Sequence, residues 1–331
     1  MNRIRLLPLL LLFLLLAACG QQGESGPPTV QRSNFQMDTV VTVTLYDWTD
    51  ETAIDAAFQE IDRLEALLAV EKDGSDLDRL AKAAGQDWVD ISPETQEVLE
   101  IAKEYYEKSD GLLDVTAGPL IDLWDINNGG HYPTGEELNE VLPLIGCEDL
   151  LVEDGRAYLA RPGMEANLGA IAKGYIADRV KDLLLDMGVE HAVLDLGRNI
   201  LLIGGKTDEI PFRIGVQDPN GDQGAILAVL EVSDKSLVTS GVYERYFEYE
   251  GKRYHHILDP VTGYPADNGL AAVSILSDNS AQGDALSTAC LLLGKEKGLA
   301  LIESLPGVEA LFVAGDGTMT PSSGFDAYRV E

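Results

Sequence analysis

An α+β fold, with largely antiparallel sheets packed against helices, is what this 331-residue sequence predicts. Three observations carry that reading. Strand-like segments follow one another through short turns between 192 and 257, which implies antiparallel pairing rather than a doubly wound sheet. Amphipathic helices flank them on both sides, and the chain closes on two strands joined by the hairpin turn Gly315-Asp316.

The elements follow in order. Asn34–Asp47 alternates apolar and polar residues (Val41, Val43, Leu45) and reads as one strand. Thr52–Val70 places Ile54, Ala57, Phe58, Ile61, Leu64 and Leu68 at helical spacing. Ser92-Pro-Glu-Thr95 has an N-cap serine and a first-turn proline, so a second helix runs to Glu107. Ala166–Met187 is the longest helical pattern and stops at Gly188, a C′ glycine. Strands are expected at 192–196, 201–203, 212–216, 226–232, 237–240, 246–250 and 253–257, the last two forming a hairpin around Glu250-Gly251. A strand at 270–276, helices at 281–293 and 296–304, and strands at 309–314 and 317–321 complete the chain.

The first residues are of another kind. Arg3 and Arg5 precede an almost unbroken apolar run, Leu6–Leu16, which ends in Leu16-Ala-Ala-Cys19. The run is too short to span a bilayer, which needs about 20 residues, and it has the layout of an export signal. The Leu-Ala-Ala-Cys pattern is that of a bacterial lipobox, so residues 1–18 are expected to be removed and Cys19 acylated. Residues 19–33 then form a flexible tether, rich in Gly, Gln, Ser and Pro, and 34–331 a single domain. The expected location is outside the cytoplasm, lipid-anchored to the bacterial membrane.

Charge excludes several partners. With 24 basic and 56 acidic residues the net charge is −32, so nucleic acid, which requires a basic surface, is not a partner. The same field opposes adhesion to anionic headgroups beyond the lipid anchor, and it opposes a polyanionic ligand unless a metal or local cations offset it. Besides Cys19 only Cys147 and Cys290 remain, with no zinc spacing; Cys290 lies in an apolar helix and reads as a core thiol.

Candidate chemistry concentrates toward the C-terminal half. Asp284 and Thr288 are four residues apart, so on a helix they share a face one turn apart. A carboxylate and a hydroxyl so placed suit Mg²⁺. Just upstream lies Arg253-Tyr-His-His-Ile-Leu-Asp-Pro-Val-Thr-Gly263, with His256 an imidazole able to titrate near working pH. Asn167-Leu-Gly-Ala-Ile-Ala-Lys173 opens the long helix with small residues and one cation, a setting favourable to an anion. Gly204-Gly-Lys-Thr207 imitates a phosphate loop, but Ile200 stands where its first glycine belongs and the segment lies between strands.

Seven segments in register resemble the ApbE family of flavin transferases. They are Met37-Asp-Thr39, Gly111–Leu120, Asn167–Tyr175, Leu194–Asn199, Val238-Thr-Ser-Gly241, His256–Gly263 and Ala281–Thr288, spread over residues 35–320. The resemblance implies a Mg²⁺-dependent enzyme that splits FAD, joins FMN through a phosphoester to a Thr or Ser of an acceptor subunit in a membrane redox complex, and releases AMP. It implies metal ligation by Asp284, Thr288 and the backbone oxygens of Ala170 and Ala281. It further implies FAD contacts from Met37, Leu112, Leu113, Asp114, Asn167, Lys173 and Leu258. His256 becomes the candidate base, its neighbour His255 a bystander, and Asp259 a turn former or an orienter of His256.

Three segments depart from the family pattern. Glu71 stands where an aromatic is usual, Asn167 and Gly169 replace an acid and a serine, and Arg198 replaces a glycine. Two other readings stay open at this stage: a Mg²⁺-dependent FAD pyrophosphatase yielding FMN and AMP, and a non-catalytic flavin-binding lipoprotein.

Overall fold

The computed structural model describes residues 28–222 and 224–330. The expected signal segment and Cys19 lie outside them. The strands are β1 (Thr29–Gln36), β2 (Thr39–Tyr46), β3 (Val89–Asp90), β4 (Leu150–Glu153), β5 (Arg156–Leu159), β6 (Ala192–Leu196), β7 (Asn199–Ile203), β8 (Phe212–Gln217), β9 (Ile226–Val232), β10 (Ser236–Gly241), β11 (Tyr246–Tyr249), β12 (Lys252–His255), β13 (Leu270–Ser277), β14 (Glu309–Ala314) and β15 (Met319–Pro321). The helices are α1 (Thr52–Leu68), α2 (Asp76–Lys82), α3 (Pro93–Lys108), α4 (Gly118–Trp124), α5 (Gly135–Val141), α6 (Ala172–Asp186) and α7 (Ser280–Glu303).

Eight strands form the central sheet in the order β1-β2-β6-β7-β10-β13-β14-β15, every neighbouring pair antiparallel. Period-two alternation assigns each residue to a face. Leu201, Ile203, Val273, Ile275, Ala310 and Phe312 pack against α1, α6 and α7. Their sequence neighbours Leu202, Ala272, Leu311 and Val313 pack against the β8–β9 ribbon and Phe325. The α+β expectation therefore holds, with helices on one face and a ribbon on the other. A third, smaller core gathers Leu120, Trp124, Leu138 and Leu258 with Tyr132, Phe247, Tyr254 and Tyr264.

Three local readings are corrected. The segment 34–47 is not one strand but the hairpin β1–β2, turning at Met37 and Asp38 with φ of 51° and 56°. Positive φ at both central residues is the tight geometry that matches strand twist, normally signalled by Asn-Gly; neither residue here carries that signal. Since β1 starts at Thr29, the expected tether loses its last five residues to the sheet. The long helix begins at Ala172 rather than 166, because Asn167 Oδ1 accepts the Gly169 N–H at 2.9 Å and holds a side-chain turn in place of the first helical turn. Elsewhere the sequence pattern assigned nothing to 120–165, where α4, α5 and the β4–β5 hairpin form. The signals there are local: a capping box between Thr134 and Glu137, and Asp154-Gly155 at the hairpin turn.

Helix α7 is the spine of the helical layer. It is a merger of two helices across Gly294, whose φ of 78° breaks the helical path where the sequence separates 281–293 from 296–304. Its N-terminus is gripped by α6. The buried Asp178 carboxylate accepts the N–H groups of Ser280 at 2.9 Å and Ala281 at 2.8 Å, two of the donors a helix start leaves unpaired. Gly174 lets the two backbones meet: a Cβ there would sit 2.2 Å from the Ser280 carbonyl oxygen. Among the described residues no helix is long and apolar enough to cross a membrane. We expect Gly174→Ala to destabilise the protein by about 1–3 kcal/mol, the cost of overpacking a tight contact. The check is a lower urea midpoint at unchanged slope; an unshifted midpoint would show that α6 and α7 can separate freely.

Candidate active site

A cleft of about 770 Å³ opens where the turns of the central sheet meet the N-terminal ends of α6 and α7. The β1–β2 turn contributes Met37, the β6–β7 turn Gly197 and Arg198, and the segment after β12 His256 and Leu258. Of the twelve residues singled out beyond residue 33, eleven line it: Met37, Leu112, Leu113, Asp114, Asn167, Ala170, Lys173, His256, Leu258, Asp284 and Thr288. Ala281 shares the helical face of Asp284 but is 1% exposed, lies outside the cleft lining, and gives its N–H to Asp178.

Asp284 is the electrostatic centre of the cleft. Its carboxylate is buried, with Oδ2 accepting the Gly174 N–H at 2.9 Å and Oδ1 3.5 Å from Lys173 Nζ. Burial raises its proton affinity, while Lys173 and the Gly174 N–H pull the other way. The bond from Gly174 has a second consequence. In a regular helix that N–H would go to the carbonyl of Ala170; here it is diverted, and among the described residues the Ala170 carbonyl accepts no backbone bond. On the other side of Asp284, Ser240 Oγ lies 3.3 Å from Thr288 Oγ1 and 2.8 Å from Ser287 Oγ, tying the hydroxyl on α7 to β10.

The two histidines separate cleanly. His255 Nε2 lies 2.9 Å from the Ala266 carbonyl and its Nδ1 accepts the Ile257 N–H at 3.3 Å, so both ring nitrogens are occupied with holding the chain. His256 Nδ1 lies 3.3 Å from the Arg245 carbonyl. A carbonyl only accepts, so Nδ1 carries the proton and Nε2 keeps its lone pair. Burial, then the Arg245 charge, pushes the His256 pKa down to about 4, with Lys173 a smaller contributor. The imidazole is neutral at physiological pH and able to take a proton.

Asp114, which also lines the cleft, and Asp259 organise loops. Asp114 Oδ1 accepts from the Thr116 N–H at 2.8 Å and its hydroxyl at 2.6 Å, and Oδ2 accepts from Cys147 N–H at 3.0 Å, so this carboxylate shapes the loop that carries Leu112 and Leu113. Asp259 accepts the N–H groups of Val261 and Thr262 and forms a turn, one of the two roles read from sequence. Cys147 and Cys290 are both buried and unpaired.

The three departures all reach the cleft wall, as do residues that sequence reasoning passed over. Glu71 lines it at the exit of α1. Arg198, held at φ 74° after Gly197, pairs with Glu244 at 3.2 Å and lies 4.9 Å over the Tyr243 ring. Gly197 is required there, since a Cβ would lie 2.2 Å from Thr39 Oγ1. Glu244, Arg245 and Asn127 went unnoticed because no motif or periodicity marks them; only the folding of β11 against the 126–128 turn brings them to the cleft.

The sequence profile described as the ApbE family matches residues 37–312. A relative from Klebsiella pneumoniae, named FAD:protein FMN transferase, is 38% identical over 87% of this chain and 90% of its own length. One of the same name from Treponema pallidum is 35% identical over 95% of this chain and 92% of its own length. The crystal structure of the ApbE protein from Thermotoga maritima superimposes with a TM-score of 0.85 at 30% identity, covering 92% of this chain and all of that one.

Replacing the two histidines should separate their roles. His255→Ala is expected to lower stability by about 1–3 kcal/mol, because it strands buried backbone partners, and His256→Ala by less than about 1 kcal/mol. Urea midpoints of the two variants check this; equal losses would contradict the division.

Proposed function

The chain belongs to the ApbE family, and on that premise we propose that it is a Mg²⁺-dependent FAD:protein FMN transferase of the cell exterior. The enzyme cleaves FAD, places FMN on a Thr or Ser hydroxyl of a redox subunit, and releases AMP. The observation that carries this reading is the convergence of a buried carboxylate, a free carbonyl and a neutral imidazole on one cleft.

The donor chemistry of the cleft fits a hard divalent cation. Asp284, Thr288 and the diverted Ala170 carbonyl are all oxygen donors at the α6–α7 junction, with Ala281 on the same helical face. Among the described residues no group of three or more His, Cys, Asp or Glu could compose an alternative site. Mg²⁺ bound there would neutralise pyrophosphate charge as the bridge breaks. Asp284 needs that cation for another reason: buried and raised in proton affinity, it is only partly compensated by Lys173.

The chain's own residues do the rest. Lys173 and Arg245 supply positive charge where the protein as a whole repels a dinucleotide. Met37, Leu112, Leu113 and Leu258 give the cleft apolar walls for the ring systems, and the Asn167 turn holds the backbone before α6. His256 Nε2 takes the proton of the acceptor hydroxyl as its oxygen attacks the FMN phosphorus. The new phosphorus–oxygen bond replaces the bridging one, and AMP departs with the bridging oxygen. A water in place of the acceptor would give the pyrophosphatase outcome on the same residues. The leader sequence and Cys19 support a lipid anchor outside the cytoplasm.

The test is incubation with FAD and Mg²⁺, with and without acceptor, following AMP release and acceptor mass. Acceptor gaining the mass of one FMN is the expected result; AMP formed equally without acceptor would favour the pyrophosphatase. Asp284→Ala should lower FMN transfer by roughly 10²-fold or more. Acid titration gives a second check. As pH falls through about 4, free His256 becomes protonated and loses its lone pair. Bound phosphates offset the Arg245 and Lys173 charges that depress it, so the pKa rises in the complex. The acid limb of kcat/KM, which reports free enzyme, is therefore expected below that of kcat; coincident limbs, or a kcat/KM limb near 6.5, would contradict this role for His256.

A further inference from the structure

A second cavity of about 440 Å³ adjoins the cleft. It is lined by Asp38, Ile126, Asn127, Asn128, Glu244, Arg245 and Tyr246, all of which except Ile126 and Tyr246 also line the larger cleft. The two spaces thus meet at Glu244-Arg245, and the Arg245 backbone is where His256 is anchored: its carbonyl faces His256 Nδ1 and also accepts the His256 N–H at 3.1 Å. Whatever occupies the second cavity lies beside the residue whose carbonyl holds the imidazole. Transfer to a protein needs such an entrance, since FAD takes the first.

The lining of the second cavity suits a peptide. Asn127, Asn128 and Arg245 offer donors, whereas Asp38 and Glu244 offer acceptors. That mixture matches a backbone with alternating N–H and C=O groups. One wall begins a strand with a spare edge: Tyr246, the first residue of β11, lines the cavity, and among the described strands β11 pairs with β12 alone. An extended segment can bond to such an edge.

We infer that this cavity receives the hydroxyl-bearing segment of the acceptor protein as an extended, polar peptide lying between β11 and the 126–128 turn. The inference rests on the transferase reading above. Tyr246 is the residue to change, because it lines the second cavity alone and is 39% exposed, so that its loss need not disturb the core. The experiment measures FMN transfer against acceptor concentration for the full chain, for Tyr246→Ala and for Ile126→Phe, which narrows the same wall. FAD affinity is followed in parallel by flavin fluorescence, and folding by the thermal midpoint. The expected result for Tyr246→Ala is an acceptor KM raised about tenfold, as for loss of an interface tyrosine, at unchanged FAD affinity, with Ile126→Phe moving KM the same way. An acceptor KM unchanged in both folded variants overturns the inference and leaves the transferase reading standing. Wild-type protein that cleaves FAD but labels no acceptor overturns both.

Discussion

The crossing of α6 over the start of α7 is the contact on which the site depends. Gly174 allows the approach, Asp178 binds the two free N–H groups that begin α7, and the Gly174 N–H reaches Asp284. These three interactions fix the rotation of α7 about its axis. That rotation puts Asp284 and Thr288 into the cleft and Lys173 opposite them. The fixation has its own electrostatic cost: burial pushes the Asp178 pKa up to about 6, even with two backbone donors on its oxygens. The folded state binds that proton more tightly than the unfolded chain, so the stability tied to protonated Asp178 is complete in acid. It is lost as pH rises through about 6.

The cleft carries both signs, with Asp38, Glu65, Glu71, Asp114, Glu244 and Asp284 in its lining. Among its cations are Lys173, Arg198 and Arg245. Their engagements differ. Lys173 is shared with Asp284, Arg198 is held by Glu244 and the Tyr243 face, and Arg245 borders both cavities and depresses His256. Burial, with the Arg245 and Lys173 charges adding to it, keeps the His256 imidazole neutral at physiological pH. Met37, Asp38 and Arg198 sit at positive φ on the cleft wall, where a non-glycine residue is strained and the fold around it must hold it.

Much of this was legible beforehand, for identifiable reasons. Helices α1, α3 and α7 and the strands β6 to β15 are segments whose apolar period is long enough to be read, and the Gly188 and Gly294 breaks fell where glycine is expected. What escaped is short or carries a contradictory cue. The Met37-Asp38 turn interrupts an alternating run without Gly or Asn, and α2, α4 and α5 are seven residues each, too brief for periodicity to show. The delayed start of α6 went unread because Asn167 and its neighbours are compatible with a helix until the side chain of Asn167 competes for the backbone.

The sequence by itself determined the class of fold, the acidic exterior, the helical spacing that pairs Asp284 with Thr288, and the membership that the Asn167–Tyr175 and His256–Gly263 segments announce. These are properties of residues near one another in the chain, governed by periodicity and local chemistry. Tertiary structure decided the rest. It made Asp114 and Asp259 organisers of loops, gave His255 to the chain and His256 to the cleft, left the Ala170 carbonyl free, and opened a second cavity between β11 and the 126–128 turn. Each of those outcomes depends on a partner distant in sequence, such as Cys147 for Asp114 or Asp284 for Gly174, and no local pattern encodes which partner arrives.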